Sequence, residues 1–141
     1  ESDGIADPLV TGIKPGDSEL CDVGPSQDRR GNGIHLWNSV GHTISGNTIE
    51  NAKDVGIALG WGPYSRDLSA TGNVIRNCGK GITASLSAGA GPVMIANNII
   101  SGAQIAAIMG MDHTEPVTAD LGKDGAEVPE RIRLSGNLIR S

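Results

Sequence analysis

The chain has 141 residues, enough for one domain with a buried core. Its 11 basic and 16 acidic side chains give a net charge of −5, which disfavours a nucleic acid or an anionic membrane as partner. No apolar run approaches the roughly 18 residues that cross a bilayer, so no membrane insertion is predicted. Glycine accounts for 21 residues and phenylalanine for none, which predicts an aliphatic core and a backbone that bends often.

Residues 1–30 show no regular period, and we predict an irregular N-terminal segment. Pro8, Pro15 and Pro25 favour loops, although the short apolar pieces between them are compatible with part of a coil. Residues 31–141 are periodic instead, and we predict that they form a repeat domain.

Cys21 and Cys78 are the only cysteines. One disulfide and two free thiols are both compatible with that count. Cys78 follows Asn73 by five residues, as Ala52 follows Asn47, and a small buried hydrophobe suits this position. We therefore favour two free thiols.

One short motif, Gly-Asn-x-Ile or a close variant, occurs four times in the periodic part of the chain. Its asparagines are 26, 25 and 39 residues apart, at Asn47, Asn73, Asn98 and Asn137. A period of roughly 20 to 50 residues is typical of a solenoid, in which each repeat stacks on the next.

Each period opens with a short alternating strand that begins at a Gly-Ile pair, or at Ala-Ile in the last one. A second strand precedes the motif asparagine and a third follows it. Three short strands in about 25 residues indicate one coil of a parallel β-helix, so we predict an all-β solenoid of about four coils. A helical fold is disfavoured because glycine and asparagine interrupt every window of helical spacing, and a β-sandwich does not explain a motif that recurs in phase.

The motif asparagines have a mechanical explanation. Asparagine tolerates the left-handed backbone of a sharp bend, and identical amides on adjacent coils form hydrogen-bonded ladders. We therefore predict a structural rather than a catalytic role for the four residues, Asn47, Asn73, Asn98 and Asn137.

The last spacing exceeds the others by about 13 residues. The surplus lies in residues 112–129, a polar stretch that contains Pro116, Gly122, Gly125 and Pro129. We therefore predict a long loop that projects from the repeat domain. Loops of this length in compact domains are usually functional or disordered.

The Gly-Asn-x-Ile repeats and Gly-Ile strands resemble the right-handed parallel β-helix repeats of the pectin-lyase-like superfamily. Residues 60–67, which begin Gly-Trp-Gly-Pro-Tyr, and residues 107–112 are similar to a family of bacterial repeat proteins exported by the twin-arginine route. The resemblance covers residues 31–141. It implies a right-handed coil, a periplasmic or secreted location, and an acidic polysaccharide as partner.

Alignment of the strand starts predicts an outward-facing column, made of His35, Ala58, Thr83 and Met109. Trp37, Trp61 and Tyr64 lie beside it and predict a sugar-binding platform, because flat aromatic faces suit the C–H surfaces of sugar rings. His35 is included in this binding set, and Arg66 in the same connection could meet a uronate carboxylate. The alternative is that the tryptophans only cover a connection or a neighbouring coil.

Asp112 and His113, at the start of the long loop, are the candidate catalytic pair. A histidine beside a carboxylate suits acid–base chemistry near neutral pH. A solvated loop is the alternative. No His-x-His or cysteine pair sets metal-ligand geometry, so neither a metal nor another cofactor is predicted.

Three hypotheses for function follow. The first is an exported module that binds a polysaccharide through an aromatic outer face. The second is a fragment of a polysaccharide lyase, hydrolase or epimerase, although the paired Asp-Asp and Gly-His-Gly elements of such enzymes are missing, and enzyme activity stays open. The third is a structural solenoid that associates with itself, or with the rest of a longer solenoid, through its coil ends.

Overall fold

The computed structural model describes residues 9–11, 21–23, 33–36 and 40–140; Trp37 therefore lies outside the described residues. The described part contains β-strands and one short 3₁₀ turn, Gly62–Tyr64, and no α-helix. The all-β prediction is confirmed. No helix within the described ranges has the length and apolar character required to cross a membrane.

The strands form three sheets, numbered in the order in which the periodic part of the chain visits them. Sheet 1 contains β2 (Cys21–Val23), β3 (Ile34–Leu36), β6 (Val55–Leu59), β9 (Lys80–Ser85), β12 (Ala106–Asp112) and β13 (Glu115–Pro116). Sheet 2 contains β4 (Thr43–Ser45), β7 (Leu68–Thr71), β10 (Val93–Ala96) and β14 (Ile132–Ser135). Sheet 3 contains β1 (Leu9–Thr11), β5 (Thr48–Glu50), β8 (Val74–Arg76), β11 (Ile99–Ser101) and β15 (Leu138–Arg140).

The chain visits the three sheets in a fixed order. We call β3, β4 and β5 round 1, β6 to β8 round 2, β9 to β11 round 3, and β12, β14 and β15 round 4. Successive rounds pair in parallel, with equivalent residues opposite one another, as Ile57 is opposite Ile82. This topology agrees with the predicted parallel β-helix. Within residues 1–30, predicted as irregular, β1 and β2 pair antiparallel with β5 and β3.

The core is a stack of aliphatic side chains between the sheets. Ile34, Ile57, Ile82 and Ile108 are fully buried, one from each round. Each such side chain stabilises the fold by about 1.5–3 kcal/mol relative to an exposed one, so the stacked core dominates stability. These isoleucines therefore mark the inner face of the first strands, and the aliphatic core has the predicted composition.

Glycine occupies the equivalent position near the start of the first strand in three rounds, because there is no room for a side chain. A Cβ on Gly56 would lie 2.7 Å from the carbonyl oxygen of Gly81 and 2.8 Å from Cγ2 of Ile75. In round 4 the equivalent residue is Ala107, and its neighbour in the long insertion is Gly122. The Gly-Ile pairs therefore indicate that the backbones of neighbouring rounds stack closely.

The motif asparagines form a continuous ladder through the stack. Asn47 donates from Nδ2 to Oδ1 of Asn73 (3.1 Å), and Asn73 donates in the same way to Asn98 (2.9 Å). Asn98 donates to Asn137 (3.0 Å). Each of the three acceptor oxygens also receives the backbone N–H of the asparagine in the round before. The ladder therefore ties the turn between sheets 2 and 3 to its neighbours.

The left-handed backbone expected at these asparagines occurs one residue earlier. Gly46, Gly72, Asn97 and Gly136 have φ between 58° and 71°, whereas no ladder asparagine has positive φ. The expectation is wrong for a simple reason: the bend must precede the ladder residue so that its side chain turns inward. Glycine and asparagine are the residues that enter this conformation most readily.

The long insertion folds back on the sheet and does not project, which corrects the prediction for residues 112–129. Leu121 is buried and donates its N–H to the carbonyl of Ile108 (2.7 Å). The Asp120 carboxylate accepts the N–H groups of Ala107 (3.1 Å) and Ile108 (3.2 Å). The insertion therefore covers the edge of β12, whose N–H groups would otherwise lack partners.

Cys78 is a free cysteine, and only 1% of its surface is exposed. Burial raises the pKa of its thiol. The free-thiol prediction is confirmed for Cys78. Ala52, at the equivalent position of round 1, is also buried, so this site takes a small apolar side chain as expected.

Candidate functional site

The predicted column on sheet 1 is in register, but it is covered. His35 is opposite Ala58, Ala58 is opposite Thr83, and Thr83 is opposite Met109. The four side chains have exposed fractions of 4, 6, 5 and 8% in that order. The expectation that this column faces solvent is wrong, because connecting segments fold back over the sheet.

Trp61 is one of the covering residues. It follows β6 and precedes the 3₁₀ turn, and its ring meets that of His35 edge to face, with centroids 5.9 Å apart and an interplanar angle of 64°. The ring of His113 also contacts Trp61, with ring centroids 5.4 Å apart and an interplanar angle of 82°. One indole thus contacts two imidazoles, which come from rounds 1 and 4.

A tight hairpin carries His113 to this place. β12 pairs antiparallel with β13 across His113 and Thr114, and His113 has a left-handed φ of 57°. Its ring lies against Gly62, where a Cβ would be 3.0 Å from Nε2 of His113. The reversal of the chain and the missing side chain at Gly62 together allow round 4 to reach the connection of round 2.

Asp112 and His113 are hydrogen-bonded, and Asp112 is further held by Ser87. His113 Nδ1 is 2.8 Å from Oδ1 of Asp112, and the Ser87 hydroxyl donates to the same oxygen at 2.7 Å. These contacts lower the pKa of Asp112, the Ser87 hydrogen bond most and the His113 hydrogen bond next. Asp112 is therefore a carboxylate at neutral pH.

The loop that carries Ser87 is fixed by one guanidinium group. Arg131 donates to the carbonyl oxygens of Leu86 (3.1 Å), Ser87 (3.2 Å) and Ala90. Charged donors make stronger hydrogen bonds than neutral ones, and a planar fork suits several acceptors in one loop. Arg131 therefore positions the Ser87 hydroxyl that in turn orients Asp112.

Trp61, His35 and His113 line a pocket of about 240 Å³ on sheet 1. Small sheet residues and three rings contribute to it, and its lining comprises His35, Asp54, Val55, Ala58, Gly60, Trp61, Lys80, Thr83, Ala84, Ser85, Met111, His113 and Thr114. Hydroxyl groups, imidazoles and an indole in one concavity are typical of a small-molecule site. No group of three or more His, Cys, Asp or Glu among the described residues is arranged to hold a metal ion.

An ion pair lines the pocket. Lys80 Nζ lies 3.5 Å from Oδ1 of Asp54, and the Lys80 side chain is only 13% exposed. Of the lining residues that the structure describes, Lys80 alone is a lysine or arginine. The one lysine among the described lining residues is thus paired with the carboxylate of Asp54, which precedes the first strand of round 2.

Comparison with known proteins gives the family. Residues 21–120, more than half of the chain, match the family described as the right handed beta helix region. The chain belongs to this β-helix family. No curated protein and no solved structure matches it.

The pocket of this β-helix protein contains some of the residues proposed from its sequence and not others. His35, Trp61 and His113 line it, and Asp112 touches it through His113.

Tyr64 is 69% exposed and is not among the lining residues. Arg66, also absent from the lining, lies 4.0 Å from Asp67 with both side chains largely exposed. Trp37 lies outside the described residues.

Sequence reasoning missed Ser87, Arg131 and the Lys80–Asp54 pair of this β-helix. Lys80 and Asp54 are 26 residues apart, which is one repeat, so a search for opposite charges at that spacing would have found them. Ser87 and Arg131 carry no such signal, because their partners lie in loops of unequal length.

Proposed function

We propose that this β-helix protein binds a polysaccharide and holds one sugar unit in the pocket beside Trp61. The observation that carries the proposal is a pocket in which the Trp61 indole, in contact with two imidazoles at 5.9 and 5.4 Å, lies beside small residues of sheet 1. An aromatic ring supports the C–H surface of a sugar, and the neighbouring polar groups satisfy its hydroxyls.

Two hydroxyl groups of sheet 1 extend this argument. Thr83 and Ser85 line the pocket on the same strand, two residues apart and on the same face. The Ser85 hydroxyl donates to the carbonyl of Gly62 at 2.6 Å, so its oxygen remains an acceptor for a ligand hydroxyl. A polar sugar therefore suits this pocket better than a wholly apolar ligand.

Further parts of the proposal rest on the repeats and on the resemblance. The rounds are the coils of a right-handed solenoid, about four in number and about 25 residues each. Export to the periplasm or beyond follows from the resemblance alone, and so does an acidic character of the polymer. An extended binding face would add Tyr64 and Arg66 to the pocket.

Binding to a polysaccharide array, followed by isothermal titration with the best oligosaccharide, tests the proposal. Trp61→Ala should weaken binding at least about tenfold, because it removes the ring that carries the stacking contact. Met94→Ala, an exposed change on the outer face of sheet 2, is the matched control and should leave affinity unchanged. Equal affinity of Trp61→Ala and the parent protein would refute the pocket as the binding site.

Acid–base catalysis by Asp112 and His113 is the second candidate function. The Ser87–Asp112–His113 contacts favour it, because they fix the ring of a histidine at the edge of the pocket. A polysaccharide panel assayed for new reducing or unsaturated ends is the test. Products that disappear in His113→Gln would establish catalysis, and no product from any polymer would rule it out.

Self-association through the ends of the stack is the third proposal. Sheet 2 ends at β4 and β14, so two strand edges are available for pairing among the described residues. Sedimentation velocity over a hundredfold range of concentration is the test. A constant monomeric sedimentation coefficient would contradict assembly.

A further inference from the structure

We infer that the pocket selects a neutral sugar unit and discriminates against a uronate. This inference rests on the proposed function, and it replaces the acidic polymer that the resemblance favours. It follows from the fixed charges around the pocket and from the direction of the hydrogen bond between Asp112 and His113.

The positive charge of the pocket is already compensated. Lys80 is held beside Asp54 at 3.5 Å, and its side chain is largely buried, so it has little freedom to reach another carboxylate. A uronate would have to share this ammonium group with Asp54. Two carboxylates that compete for one cation repel each other, and the competition lowers affinity.

The Asp112 side of the pocket adds a negative charge. Asp112 is a carboxylate at neutral pH, so it only accepts hydrogen bonds, and the Nδ1 atom of His113 must be the donor. In a neutral imidazole the other nitrogen is then an acceptor. Where the His113 ring lines the pocket, Nε2 as an acceptor would take a hydrogen bond from a sugar hydroxyl and none from a carboxylate.

The charges sum to a negative site. Among the lysine and carboxylate charges, those of Asp54 and Lys80 cancel, and Asp112 adds one negative charge beside the pocket. Arg66, which was predicted to meet a uronate, is outside the lining and has Asp67 as its neighbour. The net charge of −5 of the whole chain also repels an anionic polymer.

Matched ligands separate charge from shape. Oligogalacturonate, oligomannuronate and oligoglucuronate are each compared with their carboxyl-reduced forms, which keep linkage and ring stereochemistry. Titration is done at about pH 8, where histidine side chains in general are neutral. In any pair that shows binding, we expect the affinity of the reduced form to exceed that of the uronate by about tenfold or more.

Charge-removal variants give the complementary result. Asp54→Asn frees Lys80, and Asp112→Asn removes the remaining negative charge, so each should raise uronate affinity about threefold to tenfold. Asp67→Asn, an exposed change outside the pocket, is the matched control and should have no effect. Thermal unfolding of each variant checks that it is folded.

Each outcome is decisive. The inference is supported if the reduced oligosaccharide binds more tightly than the uronate and if this difference in affinity is smaller in Asp54→Asn. A uronate that binds as tightly as its reduced partner overturns the inference and leaves the proposed function standing. No binding by either member of any pair overturns the proposed function, and the inference with it.

Discussion

Asn73 accepts two hydrogen bonds at Oδ1 from Asn47, one from the backbone N–H at 3.0 Å and one from Nδ2 at 3.1 Å. Its own Nδ2 donates to Oδ1 of Asn98 and to the carbonyl of Ile44. All of this occurs at a residue with no exposed surface. One side chain of round 2 therefore satisfies polar groups of rounds 1 and 3.

Replacement of this rung should be costly. Asn73→Ala leaves several buried donors and acceptors without partners, each of which costs about 1–3 kcal/mol, so we expect a loss of about 3–5 kcal/mol in the free energy of unfolding. Urea denaturation followed by circular dichroism measures it. Asn97→Gly is the control, because Asn97 is exposed with a φ of 58° that glycine accepts. A loss below about 1 kcal/mol in Asn73→Ala would contradict the role of the ladder.

Close stacking at the strand starts gives a second prediction. Gly56→Ala should destabilise the fold by about 1–3 kcal/mol, because the new methyl group would contact the carbonyl of Gly81. Gly46→Asn tests backbone conformation separately. Space is open at Gly46, and its φ of 71° is close to that of Asn97, so the change should stay within about 0.5 kcal/mol. Equal effects of the two substitutions would show that steric contact is not the cause.

The cap on β12 gives a third prediction. Asp120→Ala removes the acceptors of the Ala107, Ile108 and Gly122 N–H groups. We expect faster hydrogen exchange at these amides by about tenfold or more, because the edge opens more often when its cap is lost. Asp124→Ala, in the exposed part of the same insertion, is the control and should leave exchange unchanged. Unchanged protection in Asp120→Ala would mean that the carboxylate does not hold the insertion.

The Ser87 hydroxyl gives a fourth prediction, which concerns pH. The pKa of Asp112 lies below its ordinary value of 3.8, so its contacts stabilise the fold above that value, and this contribution is lost as the pH falls through the lower pKa of the folded state. Ser87→Ala removes the main cause, so the pKa of Asp112 should rise toward 3.8. Carbon-detected NMR titration of the carboxyl group measures it.

The control for this titration is Ser135→Ala, which removes an exposed serine hydroxyl on sheet 2 and should leave the pKa of Asp112 where it is. An unchanged Asp112 pKa in Ser87→Ala would refute the assignment of the shift to the Ser87 hydrogen bond.

The repeats made much of the architecture predictable. Ile34, Ile57 and Ile82 lie one repeat apart, and a shift of one residue would turn each of them out of the core, so the pattern fixes the register of the parallel strands. The ladder asparagines are equally constrained, since the same amide must recur at the same bend in each round.

The site could be predicted only in part, because loops of unequal length assemble it. The sequence places Trp61 and His113 52 residues apart, and nothing in their spacing indicates that the rings lie at 5.4 Å. Their contact depends on a left-handed turn at His113 and on the missing side chain of Gly62. Likewise, the exposure of Tyr64 follows from the 3₁₀ turn and not from its residue type.

The asparagine ladder has a direction. Each inner rung, Asn73 or Asn98, receives hydrogen bonds from the round before and donates to the round after, so donors and acceptors meet in the same order at each step. If residues 74–98 were duplicated after Asn98, the added asparagine would accept hydrogen bonds from Asn98 and donate to Asn137, as the existing inner rungs do with their neighbours. The fold can therefore lengthen by whole duplicated rounds without new polar chemistry, whereas a segment inserted out of phase would bring unmatched amides into the interior.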